Sequence, residues 1–300
     1  MREERTCFMI GSIPIVTFDT SAHNRLARKG SDSEPVLEAI KSGWCFRFAA
    51  LSLEELASTP DPKLRKDFFV SCAELQKGLT DCLYPQNELI RLLVVAHFQN
   101  PSAFSWTTVN VRGWEYEQAI RDRRFVNDQQ LATEQWQEMR KRKTDYKEMF
   151  SKPRVPISEI FKKYNEAPPT TLQEAVTRVY GSDKPLVWSM GKWLYDRGSG
   201  ADVSEAFVQQ FMDVCPPFRA LVYAMIMSWY NFGVRDPHTG ERFSAGANDQ
   251  YMSIYLPYCD KFVTADEEQQ RCLREVARLT RVETEVVSYD NFCASLLAAV

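Results

Sequence analysis

The 300-residue chain has only three His, and none of its eight Cys forms a C-x-x-C pair. That scarcity argues against a zinc site of standard Cys/His spacing. No uninterrupted apolar run approaches the roughly 18 residues that a membrane-spanning helix needs. The longest candidate, Ala220–Trp229, reads as a buried helix. Charge of one sign is also lacking. The 37 basic and 40 acidic residues give a net −3, which is not the balance of a globally basic nucleic-acid binder. With 12 Gly and 15 Pro the chain is neither collagen-like nor of low complexity. There is no G-x-S-x-G, no P-loop and no G-x-G-x-x-G, so nothing points to an activated serine or a dinucleotide cradle.

What is present suits a folded protein with a sizeable core. Hydrophobic residues make up 44% of the chain and aromatics 12%, and the length fits one large domain or two modest ones. The opening MREERTC is charged rather than apolar. A cytoplasmic location with reduced, buried thiols is the expectation, with no membrane partner.

Hydrophobic patterning divides the chain into three parts. Ile13–Phe18 is β-branched and apolar and stops at Asp19-Thr20-Ser21, as a buried strand feeding a helix does. A helix is expected over Glu34–Lys41, then a strand over Trp44–Leu51, running into an S-x-x-E capping box at Ser52–Glu55. From about Asp61 to Gly233 the signals are helical, with almost no convincing strand. The expected helices include Lys63–Gly78, Asn87–Phe98, Trp114–Arg123, Asp128–Phe150, Ser158–Asn165 and Phe218–Phe232, and Thr171–Glu174 is another capping box. Alternation returns at the end. Asp249–Tyr255 reads as helix, Lys261–Thr264 as strand, Glu267–Leu279 as amphipathic helix, Thr284–Ser288 as strand and Asn291–Ala299 as helix. Strands alternating with helices predict an α/β fold with a parallel sheet. The expected core is discontinuous, over 10–60 and 236–300, with a large all-α insertion over 61–235. No internal repeat is visible.

Ligands of open α/β sheets sit beyond the carboxyl ends of the strands, and acids are what this sequence places there. Asp19 ends the first strand, Glu54 and Glu55 follow the second, and Asp266 follows Lys261–Thr264. Asp249 opens the helix before that strand. Crowded carboxylates repel unless cations neutralise them, and hard oxygen donors suit Mg²⁺ or Mn²⁺. Such a site fits metal-activated water attacking a phosphodiester. The plainer view is that Asp19 and Asp266 cap helices, that Thr264–Glu267 is a T-x-x-E box, and that Asp260 serves a turn. His23, His97 and His238 form no spaced set. His97 reads as packed and His238 as a loop tip.

Ile15-Val16-Thr17-Phe18-Asp19-Thr20-Ser21 resembles the opening strand of PIN-domain nucleases. Leu51-Ser52-Leu53-Glu54-Glu55-Leu56 resembles their second acidic motif, and Asn248-Asp249 with Tyr258 to Asp266 their third and fourth. The resemblance covers about residues 10–60 and 240–300. It implies a PIN-like, metal-dependent endoribonuclease. Asp19, Glu55, Asp249 and Asp266 would be the catalytic metal ligands, and Glu54 is the register alternative to Glu55. Ser21 and Thr264 would be supporting hydroxyls, and Asn248 a phosphate contact. Typical members have a short segment where this chain has its long helical one, which would serve as a substrate platform, a dock for a protein partner or a regulatory lid.

That middle segment carries the most basic stretch, with twelve Lys/Arg against seven Asp/Glu between Arg121 and Lys163. Arg140, Lys141, Arg142, Lys143 and Lys147 interleave with Trp136, Tyr146 and Phe150. Cations tracking phosphates with bases stacked on aromatics would suit single-stranded RNA, while a solvated helix face is the plain alternative. Two rival functions stay open from sequence. One is an inactive binding or scaffold protein acting through the helical segment, and the other is a nuclease directed at DNA.

Overall fold

The structure, a computed structural model, describes residues 13–28, 33–122, 169–177, 186–233 and 250–298, together with positions 133, 134, 137, 138 and 141. The expected helix at 158–165 and most of that at 128–150 lie outside the described residues.

The chain builds β1 (Ile15–Phe18), α1 (Thr20–Arg28), α2 (Glu34–Gly43), β2 (Cys45–Ala49), α3 (Ala50–Ala57), α4 (Pro62–Leu75) and β3 (Leu79–Leu83). Next come α5 (Gln86–Gln99), α6 (Trp114–Arg121), α7 (Leu172–Thr177), α8 (Leu186–Ser199), α9 (Glu205–Val214) and α10 (Pro216–Gly233). A 3-10 helix (Met252–Tyr258), β4 (Lys261–Thr264), α11 (Glu267–Thr280), β5 (Glu285–Ser288) and α12 (Tyr289–Leu297) complete it. The five strands form one all-parallel sheet in the order β3-β2-β1-β4-β5. The expected α/β class and parallel sheet are therefore present, with β1 and β4, far apart in the chain, side by side at its centre.

The sheet is buried on both faces. This explains why its strands read as apolar runs rather than alternating ones. Phe18, Phe46, Phe48 and Val263 pack under α1, α2, α4 and α12. Ala49, Leu83, Phe262 and Val286 face a second layer built from α5, α7–α10, the 3-10 helix and α11. Among the described residues no helix is long and apolar enough to cross a membrane.

Several expectations need correction. The middle of the chain is not all-α, because Leu79–Leu83 forms an edge strand of the sheet. Its sequence, LTDCL, hides the strand by placing a charge at the centre. Asp81 is buried and pairs with the equally buried Arg47 of β2 through contacts of 2.6 and 2.7 Å. Burial alone would lower the Arg47 pKa, but Asp81 overrides it and raises it. The boundary at 60/61 also fails as a boundary of the core. Phe68, Phe69 and Cys72 of α4 and Ile120 of α6 pack in the same layer as β1 and β2.

The second strand stops at Ala49, and α3 begins at Ala50 without a side-chain cap. Ser52 therefore does not open a helix. Buried inside α3, it donates to the Phe18 carbonyl. The T-x-x-E box is displaced as well, since Asp266 and not Thr264 caps α11. Thr171 does accept from the Glu174 N–H at 3.1 Å. The helix expected over Asp249–Tyr255 is instead largely a 3-10 turn carrying Pro257. Seven free cysteines are described, six of them buried. Burial pushes Cys72, Cys215 and Cys259 up to about 12, which keeps those thiols protonated and inert.

Candidate acidic cleft at the carboxyl edge of the sheet

The strand order reverses its sense of travel between β1 and β4. After β1 the chain turns into α1 on one face, and after β4 it turns into α11 on the other. The two connections diverge and leave a crevice at the carboxyl ends of the central strands, the usual ligand position in open α/β sheets. A cavity of about 150 Å³ lies there, lined by Asp19, Thr20, Ser21, Asn24, Glu55, Met252, Asp266 and Gln269. Three of the four acids singled out from sequence thus meet in one cleft, drawn from segments up to 247 positions apart.

Asp19 is the innermost, at 3% exposure. It caps α1, because its Oδ1 accepts from the Ala22 N–H at 2.7 Å. Ser21 donates to the same carboxylate at 2.8–2.9 Å, and Thr264 donates to Oδ2 at 2.8 Å. Capping and site duties therefore coincide in one residue. Burial pushes the Asp19 carboxyl up to about 6 from the ordinary 3.8. Its three hydrogen-bond donors oppose that rise, and the nearby Glu55 charge adds to it.

Glu55 is held by the Thr20 hydroxyl, 2.5 Å from Oε2. Glu54 does not line the cleft. It accepts from the Tyr116 hydroxyl at 2.9 Å, on the side of α3 facing α6. Consecutive helical residues point about 100° apart, so only one of the pair can face the strand ends, and the fold selects Glu55. Asp266 is exposed at the rim, where Oδ1 caps the Gln269 N–H at 2.9 Å.

Asn248 and Asp249 lie outside the described residues, as do Arg140, Arg142, Lys143, Lys147 and His238. Lys141 is exposed on a helical stretch. Asp260 stands at the opposite end of the sheet and serves the turn there. Its Oδ2 accepts from the Ile15 N–H at 2.6 Å. His97 is packed, as its apolar helix suggested, with Nδ1 2.8 Å from the Tyr195 hydroxyl. Sequence reasoning passed over Thr20, Asn24, Met252 and Gln269. Asn24 follows Thr20 by four positions and Gln269 follows Asp266 by three, spacings that share a helix face. That was the available signal.

The donor chemistry of the cleft is all oxygen and amide, apart from Met252, with neither thiol nor imidazole in the lining. Asn24 adds a buried side-chain oxygen with no hydrogen-bond partner among the described residues. This set fits a hard divalent ion rather than zinc. Among the described residues no three His, Cys, Asp or Glu side chains are close enough to enclose an ion. Compared with protein-family models, curated proteins and solved structures, the chain matches none of them.

Proposed function

We propose that the protein is a Mg²⁺- or Mn²⁺-dependent endonuclease acting on RNA, with a PIN-like catalytic core. The observation that carries this reading is the convergence of Asp19, Glu55 and Asp266 in one cleft at the switch point of a parallel sheet. The order of the acids along the chain and the Thr-x-Asp turn after β4 support it further. On this reading the ligands would be Asp19, Glu55 and Asp266, which line the cleft but are not close enough together to enclose an ion by themselves, and Asp249, which lies outside the described residues. An ion held there would supply positive charge to a phosphodiester and would acidify a water for in-line attack.

The chain's own residues prepare that site. Ser21, Thr264 and the Ala22 N–H fix the plane of the Asp19 carboxylate, and Thr20 fixes Glu55. Burial, with a smaller contribution from the Glu55 charge, raises the Asp19 pKa, and a cation bound beside it would lower it again. The basic run around Arg140–Lys147 would follow the phosphate backbone of a single strand.

The deciding experiment is Mn²⁺-dependent cleavage of single-stranded RNA, with EDTA as the control and single-stranded DNA alongside. Asp19→Asn, Glu55→Gln and Asp266→Asn should each abolish cleavage, while Glu54→Gln should retain it. Full activity in Asp19→Asn would end the assignment. Turnover confined to DNA would move the substrate class, and no turnover on either would favour the scaffold role.

A further inference from the structure

A second cavity, of about 540 Å³, opens at the amino ends of the strands, at the other edge of the sheet from the acidic cleft. Ile15, Trp44, Asp260, Lys261 and Glu283 border it where β1, β2, β4 and β5 begin. Its size is that of a small-molecule site, and no residue lines both cavities. Trp44 and Trp106 supply two half-buried indoles to the lining. Each packs edge-to-face on a buried ring, Trp44 on Phe292 at 5.6 Å and Trp106 on Tyr258 at 5.1 Å. The indoles are thus oriented before any ligand arrives, which lowers the ordering cost of binding.

Five charged side chains complete the lining, and their pairing decides the sign of the ligand. Arg47, 2% exposed, is neutralised by Asp81 and donates to the Tyr258 carbonyl. Lys261 pairs with Glu285 at 2.5 Å. Asp260 and Glu283, both exposed, form no ion pair among the described residues. Two indoles beside a surplus of negative charge attract a cation, because the ring quadrupole adds to the carboxylate field. Among the described residues no three acids stand close enough to enclose a bare metal ion. The inner wall then selects among organic cations. Its polar side chains are already engaged, Arg47 as above and the Thr284 hydroxyl on the Leu256 and Cys259 carbonyls. A guanidinium or a primary ammonium would bring several N–H donors to that wall, and each one left unpaired there is costly. An alkylated ammonium brings charge without those donors.

We propose that this cavity binds a small organic cation with an alkylated ammonium head, held between Trp44 and Trp106 and balanced by Asp260 and Glu283. The proposal is independent of the metal-dependent reading, since it uses the opposite edge of the sheet. Titration calorimetry of the full chain with choline, at constant ionic strength, tests it. Choline should saturate one site per chain below about 20 mM. Its neutral carbon isostere, 3,3-dimethylbutanol, should bind at least ~5-fold more weakly, and so should methylguanidinium. Trp106→Leu keeps an apolar wall but removes the ring, so choline should lose about 5- to 10-fold while the isostere changes little. Glu283→Gln, at an exposed position, should weaken choline by about 2- to 3-fold. No saturation by choline, or equal binding of the isostere, overturns the proposal. Tighter binding of methylguanidinium overturns the alkylated head. If circular dichroism shows Trp106→Leu unfolded, the isostere comparison and Glu283→Gln decide, and choline affinity unchanged in Glu283→Gln refutes the assignment.

Discussion

Replacing Asp19 by Asn should make the protein more stable near neutral pH while removing the proposed cleavage. The Asp19 carboxyl ionises near 3.8 in the unfolded chain and near 6 in the folded one. Between those values the folded state binds more protons, so stability falls as pH rises through the window and stays lower above it. The full difference is about 3 kcal/mol. About 1.4 kcal/mol of it falls between pH 5 and pH 7.5, where both proteins can be handled. Asn is as good a helix cap as Asp, so the Ala22 bond survives. The Ser21 and Thr264 hydroxyls must re-pair with an amide, at a cost of about 1 kcal/mol for each that fails. Urea denaturation at pH 5 and pH 7.5 should show the variant gaining on the wild type by ~1–1.5 kcal/mol as pH rises. Other titrating groups cancel in that difference. Curves that stay parallel across the window would refute the claim that burial raises the Asp19 pKa on folding. Mn²⁺ should raise the wild-type melting temperature at pH 7.5 and leave Asp19→Asn unmoved.

Two further outcomes follow from buried charge elsewhere. Asp81→Asn strands Arg47 in the sheet and should cost about 3–5 kcal/mol in denaturant, whereas the paired Arg47→Met, Asp81→Leu change should recover most of that loss; a cost below about 1 kcal/mol for the single change would contradict the pairing. His23 is fully buried among Phe18, Phe46 and Phe48, and burial lowers its pKa from 6.5 to about 3. The unfolded chain therefore takes up the proton first, and stability should fall by about 2 kcal/mol between pH 7.5 and pH 5 on this account alone. His23→Leu should flatten that part of the acid limb, and an unchanged limb would show that the ring is protonated in place.

The sequence by itself determined the elements that bury their own side chains. Ile15–Phe18 and Lys261–Thr264 are short apolar runs stopped by an acid, and both are strands ending beside the cleft. The helices expected over Glu34–Lys41 and Glu267–Leu279 are present within a residue or two, as Glu34–Gly43 and Glu267–Thr280. Local chemistry suffices there, because the residues that form the element also stop it. What only the tertiary structure decided depends on partners far along the chain. Leu79–Leu83 becomes a strand because Arg47 neutralises Asp81 from the adjacent strand, a relation no local window contains. Glu55 rather than Glu54 faces the cleft because α3 starts at Ala50 and so sets the rotation of both side chains. Thr264 serves Asp19 rather than capping α11 because β1 and β4 run side by side, with Phe18 opposite Val263. Each of these choices was made by packing and charge across the sheet, and the letters alone left it open.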